Sequence, residues 1–124
     1  MKFYKCDVCG KIMVMLHETP IPTMCCGQPM KEMVPGAVDG AHEKHIPVVE
    51  QNGKNIMVKV GEVEHPMMEK HYIEFIVLET TEGFYQKALK PEIKPVANFV
   101  LNDTEKAIAA YEYCNLHGLW IKEL

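Results

Sequence analysis

Four cysteines crowded into a short opening segment with little apolar sequence constrain this chain more than anything else in it. Cys6 and Cys9 form a C-x2-C pair, and Cys25 and Cys26 are adjacent. The apolar pieces around them are short, Phe3-Tyr4 and Ile12 to Leu16, and Pro20, Pro22 and Pro29 break any long element. Such a segment buries too little surface to fold unaided. Below about 40 residues a domain usually needs a metal, disulfides or a partner chain. Adjacent cysteines in an extended strand point to opposite faces, so Cys25 and Cys26 share a metal only if the chain bends there. Gly27 and Pro29 suit such a bend, and Pro35-Gly36 marks a boundary. The expectation is a metal-folded minidomain over residues 1–36 and a second domain over 37–124.

The rest of the composition narrows what the thiols do. The chain has 124 residues, five cysteines and a net charge of -4, with no basic run. Nucleic-acid binding is therefore excluded, because phosphate contacts need clustered Lys and Arg. No apolar stretch is long enough to span a bilayer. Met1-Lys-Phe-Tyr-Lys-Cys6 lacks the apolar core of a signal peptide. The expected compartment is the cytoplasm, where stable disulfides are rare. An odd cysteine count cannot pair fully within one chain either. Metal binding is the remaining reading. On spacing alone, four thiolates favour a structural zinc over a single iron, because four-thiolate zinc sites are so common.

Residues 37–124 read as mainly β. Ile46 to Glu50 and Ile56 to Val60 are β-branched runs flanking Asn52-Gly53, a hairpin signal. His71 to Leu78, Phe84 to Leu89 and Val96 to Leu101 are further strands, with a turn at Glu82-Gly83. Short strands at this spacing predict an antiparallel sandwich. Asp103 to Tyr113 is ambiguous, with helix-favouring Lys106 to Ala110 running into strand-like Tyr111 to Cys114.

A second set of metal-binding residue types falls in three stretches of this domain. They are Glu43-Lys44-His45, then His65-Pro66-Met67-Met68-Glu69-Lys70-His71, then Cys114-Asn115-Leu116-His117. Taken singly, Cys114 reads as a buried apolar thiol, His17 and His42 as solvated groups, and the Glu-Lys-His triplets as exposed charge. Taken together, four histidines and a thiol at strand ends open a second metal site as an equal reading. A ferrous ion with four imidazoles and one thiolate carries net charge +1, which attracts a small anion even in an acidic protein. Five ligands on a metal that takes six leave one position for chemistry.

The combination resembles a known family. Cys6-x2-Cys9, Cys25-Cys26, both Glu-Lys-His triplets, His65-Pro66-Met67 and Cys114-Asn115-Leu116-His117-Gly118 resemble desulfoferrodoxin, the two-iron superoxide reductase, in order and over the whole chain. The resemblance implies iron in place of zinc. Cys6, Cys9, Cys25 and Cys26 would hold one iron in a desulforedoxin-like domain. His45, His65, His71 and His117 would give the equatorial nitrogens of a second, with Cys114 as its axial sulfur. Glu43 would be its sixth ligand when oxidised, and Lys44 would guide superoxide and help to protonate the product. An immunoglobulin-like β-sandwich, a homodimer and a rubredoxin-like electron donor are also implied. The rival reading is a non-catalytic iron electron-transfer protein.

Overall fold

The computed structural model describes residues 1–124, in which the chain divides into two compact units, Met1–Val34 and Pro35–Leu124.

In the first unit, β1 (Phe3–Lys5) lies between β2 (Ile12–Val14) and β5 (Lys31–Glu32), antiparallel to both. A two-residue hairpin joins β3 (Met24–Cys25) to β4 (Gln28–Pro29). Its turn is the bend that the paired cysteines require. Cys26 takes a left-handed φ of 52° and Gly27 one of 75°, a conformation that glycine adopts without penalty and other residues rarely enter. Little apolar surface is covered. Phe3, Cys6 and Met30 are buried, while Val8, Leu16, Ile21, Met24 and Val34 are exposed.

The second unit is a sandwich of two antiparallel sheets, as the strand spacing predicts, in the immunoglobulin-like arrangement that the family resemblance implies. One sheet holds β6 (Pro47–Asn52), β7 (Asn55–Val60) and β10 (Val96–Val100), in the order β10-β7-β6. The other holds β8 (Ile73–Thr80), β9 (Gly83–Ala88), β11 (Ala107–Cys114) and β12 (Gly118–Glu123), in the order β12-β11-β8-β9. Alternation decides which residues meet between them. Ile56, Val58 and Val60 of β7 and Ala97 and Phe99 of β10 face Ile73, Ile76 and Leu78 of β8 and Ala110 of β11. Each fully buried aliphatic side chain contributes about 1.5–3 kcal/mol. At the far edge, Glu105 accepts hydrogen bonds from the Thr80 hydroxyl (2.6 Å), the Tyr85 hydroxyl (2.7 Å) and the Asn102 N–H (3.0 Å).

Several sequence expectations shift. The first hairpin turns at Gly53-Lys54, because Asn52 already pairs with Asn55. The next turns at Thr81-Glu82, because Gly83 pairs with Thr80. The strand expected from His71 begins at Ile73, since the His71 N–H and carbonyl are engaged by Met68. The ambiguous segment is strand from Ala107, where pairing with β8 and β12 overrides helical propensity. A one-turn helix, α1 (His42–His45), was not foreseen.

Candidate metal centres

The sandwich brings His45, His65, His71, Cys114 and His117 together at one end, with one donor atom from each within 4.8 Å of the others. His45 closes α1, His65 follows β7, His71 precedes β8, Cys114 ends β11, and His117 lies in the turn to β12. A register shift places Cys114 opposite Ile73 after Tyr113 opposite Phe75. Such bulges re-aim a strand end.

Local hydrogen bonds hold these loops in place. Asn115 accepts from the Tyr72 N–H (3.0 Å) and donates its amide to the Lys70 carbonyl (3.0 Å), stapling the Cys114 turn to the His71 segment. The sequence reading quoted Asn115 within a motif and gave it no task; its amide between two ligand-type residues was the available signal. α1 has no side-chain cap, and its support is tertiary. The Val63 N–H donates to the Glu43 carbonyl at 3.0 Å. A Cβ on Gly61 would lie 2.7 Å from that carbonyl oxygen and 2.8 Å from the Lys44 carbonyl carbon, so only glycine lets the two backbones approach.

The four imidazoles form a closed cycle, each edge-on to the next. Centroid separations are 4.7 Å for His45–His65, 4.6 Å for His65–His71, 5.0 Å for His71–His117 and 4.7 Å for His117–His45. The Nδ1–H of His45 donates to the Ala41 carbonyl at 2.7 Å, and that of His65 to the Pro66 carbonyl at 2.6 Å. These bonds fix the tautomer and leave both Nε2 atoms as lone pairs. They face each other at 3.2 Å, and His45 Nε2 faces His117 Nδ1 at 3.1 Å. Lone pairs so placed repel unless a cation lies among them. Metal–nitrogen bonds of about 2.1 Å set at right angles put neighbouring nitrogens about 3.0 Å apart, so the cycle fits a square of nitrogens around one metal. His71 Nε2 is buried without a hydrogen-bond partner, as a ligand nitrogen would be.

Electrostatics agree with that fit. Burial holds His45 and His71 below the ordinary histidine range and lowers His65 to about 4, so all three stay neutral and able to ligate. Burial pushes the Cys114 thiol up, against backbone N–H groups of Leu116 and His117 that favour its thiolate. A metal supplies the charge a buried thiolate needs. Glu43 and Lys44 are exposed on α1 and lie outside the converging set. Their charges still reach it, since Lys44 opposes a proton on His71 and Glu43 favours one on His45.

The four remaining cysteines form a second group, again with sulfurs within 4.8 Å. Cys9 and Cys25 are 3.6 Å apart, and Cys25 and Cys26 4.0 Å. A tetrahedron with metal–sulfur bonds of about 2.3 Å has edges of about 3.8 Å. The Cys9 N–H stabilises the Cys6 thiolate and lowers that group to about 6, while the neighbouring thiols, Cys6 foremost, push Cys25 up to about 12. Four thiolates this close need a cation to coexist. His17 joins neither group, and His42 lies edge-on to Trp120 at 5.3 Å rather than free in solvent.

Comparison with known proteins follows the same division. The desulfoferrodoxin profile matches residues 37–123, and the profile of the desulfoferrodoxin N-terminal domain matches residues 1–33. The desulfoferrodoxin of Nitratidesulfovibrio vulgaris is 47% identical over 98% of this chain and 95% of its own length. A desulfoferrodoxin homologue of Archaeoglobus fulgidus is 46% identical over 97% of this chain and 94% of its own. Among solved structures, the superoxide reductase of Treponema pallidum superposes with a TM-score of 0.83 at 36% identity, covering 98% of both chains.

Proposed function

The chain belongs to the desulfoferrodoxin family, and from that premise we propose that it is a superoxide reductase, with residues 1–36 as a four-cysteine iron domain and 37–124 as the catalytic domain. The closed cycle of four imidazoles beside a buried cysteine carries the reading. Four histidines and one thiolate-capable cysteine are an uncommon donor set for a structural site, and an electron carrier needs no second cluster. His45, His65, His71, Cys114 and His117 hold one iron, and Cys6, Cys9, Cys25 and Cys26 hold the other. Iron bound to the histidine set supplies the electron that, with two protons, turns superoxide into hydrogen peroxide.

The chain's own residues do the rest. Lys44 places a positive charge at the mouth of the site, attracting an anion to a protein of net charge -4 and offering a proton to the departing product. Glu43, its neighbour, is the carboxylate available to close the site once product has left. Cys114 would supply a thiolate donor to that iron, and burial keeps bulk water from its sulfur. Asn115 keeps Cys114 and His71 in register. The reading extends to a homodimer in the cytoplasm served by a rubredoxin-like donor. No helix is long and apolar enough to cross a membrane.

The decisive experiment mixes the chemically reduced, iron-loaded protein with a superoxide pulse. One hydrogen peroxide per histidine-site iron, without dioxygen release, establishes the reductase. Dioxygen release in equal amount would mean dismutation, and no reaction would leave an electron carrier.

A further inference from the structure

Trp120 is the one tryptophan of the chain, and it is buried beside the histidine cycle. Its indole stacks on His45, with centroids 5.1 Å apart and planes 26° from parallel. Its Nε1–H donates to the backbone carbonyl of His117 at 3.0 Å. One side chain thus touches two neighbours in the cycle, from distant parts of the sequence, in two different ways. The exposed His42 ring also packs against it, edge-on, with centroids 5.3 Å apart. The packing around this wedge leaves little slack. A Cβ on Gly40 would lie 3.1 Å from Trp120 Cζ2, 3.2 Å from His45 Cε1 and 3.3 Å from His117 Cβ.

The contacts matter because the two histidines are anchored unequally. His45 is tied through its own ring N–H. His117 turns Nδ1 toward the other donors, so that nitrogen cannot tie its ring to the backbone as in His45 and His65. The Trp120 bond fixes instead the peptide from which the His117 ring hangs. Partners that orient ligands in this way typically carry a tenfold to hundredfold effect on metal affinity, by setting ring orientation before the metal arrives.

We propose that Trp120, seated against Gly40, is a positioning residue that holds His45 and His117 at their metal-binding separation. The inference rests on the histidine cluster being a metal site and is independent of superoxide being the substrate.

The test uses the full chain with cobalt(II) in the histidine site and follows its visible bands during transfer to excess chelator. Trp120→Phe keeps a ring against His45 and removes the N–H; Trp120→Leu removes both contacts. The expected result is release about tenfold faster from Trp120→Phe and about a hundredfold faster from Trp120→Leu, with shifted cobalt bands. Release from the four-cysteine site serves as the internal control and should not change. Gly40→Ala, which crowds the same wedge without altering the indole, should also shift the bands. Parental release rates and bands in Trp120→Phe would overturn the proposal, and that variant decides alone if Trp120→Leu does not fold. Faster release with unshifted bands and an equally destabilised metal-free chain would overturn it too, by reducing Trp120 to a core residue. Parental protein that binds no cobalt at the histidines would sink the metal site itself.

Discussion

The two halves of this chain use metal ligands in opposite ways. In the first unit all four ligands come from a segment that buries only Phe3, Cys6 and Met30 among its side chains. There the metal substitutes for a core. In the second unit the ligands sit on a one-turn helix, a strand end and loops at one end of a sandwich whose apolar interior is already complete. There the core exists first, and the metal is placed by it. Structural metal sites contribute folding free energy directly, whereas a site held by a formed scaffold trades little stability for its chemistry.

The sharpest way to break that contrast is to remove one sulfur from each half. Cys9→Ser should unfold the first unit, with hydrogen-exchange protection lost across β1 and β2 and retained in β7, β8 and β11. Cys114→Ser should abolish peroxide formation while leaving the four-cysteine absorption and the protection of both units in place. If Cys114→Ser unfolds the sandwich, or Cys9→Ser leaves β1 and β2 protected, the division between folding metal and working metal is wrong.

A smaller effect separates the ligands from the residues that serve the substrate. Gly61→Ala should displace the Glu43-Lys44 backbone, since a Cβ there would lie 2.7 Å from the Glu43 carbonyl oxygen. Lys44→Ile removes the charge outright. Both should slow superoxide capture about tenfold at low salt and flatten its dependence on ionic strength. In Lys44→Ile, metal content and cobalt bands should stay parental. A parental rate in Lys44→Ile would remove the steering role.

How much of this was legible in the sequence follows from what fixes each feature. The ligands were legible because coordination chemistry restricts their residue types. The bend at Cys26-Gly27 followed from two sulfurs having to face one metal. Strand β7 was legible from its β-branched run beside Asn52-Gly53. What was missed is held by tertiary contact. α1 is one turn long, uncapped by any side chain, and exists because Val63 and Gly61 receive it. The pairing of β12 with β11 decides it more than its own residues do. Trp120 gave only the signal of a lone tryptophan three residues after a ligand, and its contact with His45 crosses most of the chain.

The smallest expected effect tests whether the sandwich stands on its own polar contacts as well as its core. Glu105 receives three hydrogen bonds from Thr80, Tyr85 and Asn102, and these donors, Thr80 foremost, hold its carboxyl below the usual carboxylate range. A folded-state pKa below the unfolded value, about 4.3 for glutamate, stabilises the fold above that pH. The contribution fades as pH falls from that value through the lower, folded one, because in that window the unfolded chain binds more protons than the folded one. Glu105→Gln keeps the shape and cannot accept three charge-assisted bonds. Its unfolding midpoint should lie several degrees below the parent at pH 7, and the gap should close as the pH is lowered well below 4. Measuring the difference between the two proteins at each pH cancels the titration of the histidines, which both share. A gap that is constant with pH would mean that the loss comes from the altered side chain's packing and not from the charge on the carboxylate. No gap at all would leave the apolar core alone holding the end of the sandwich opposite the metal.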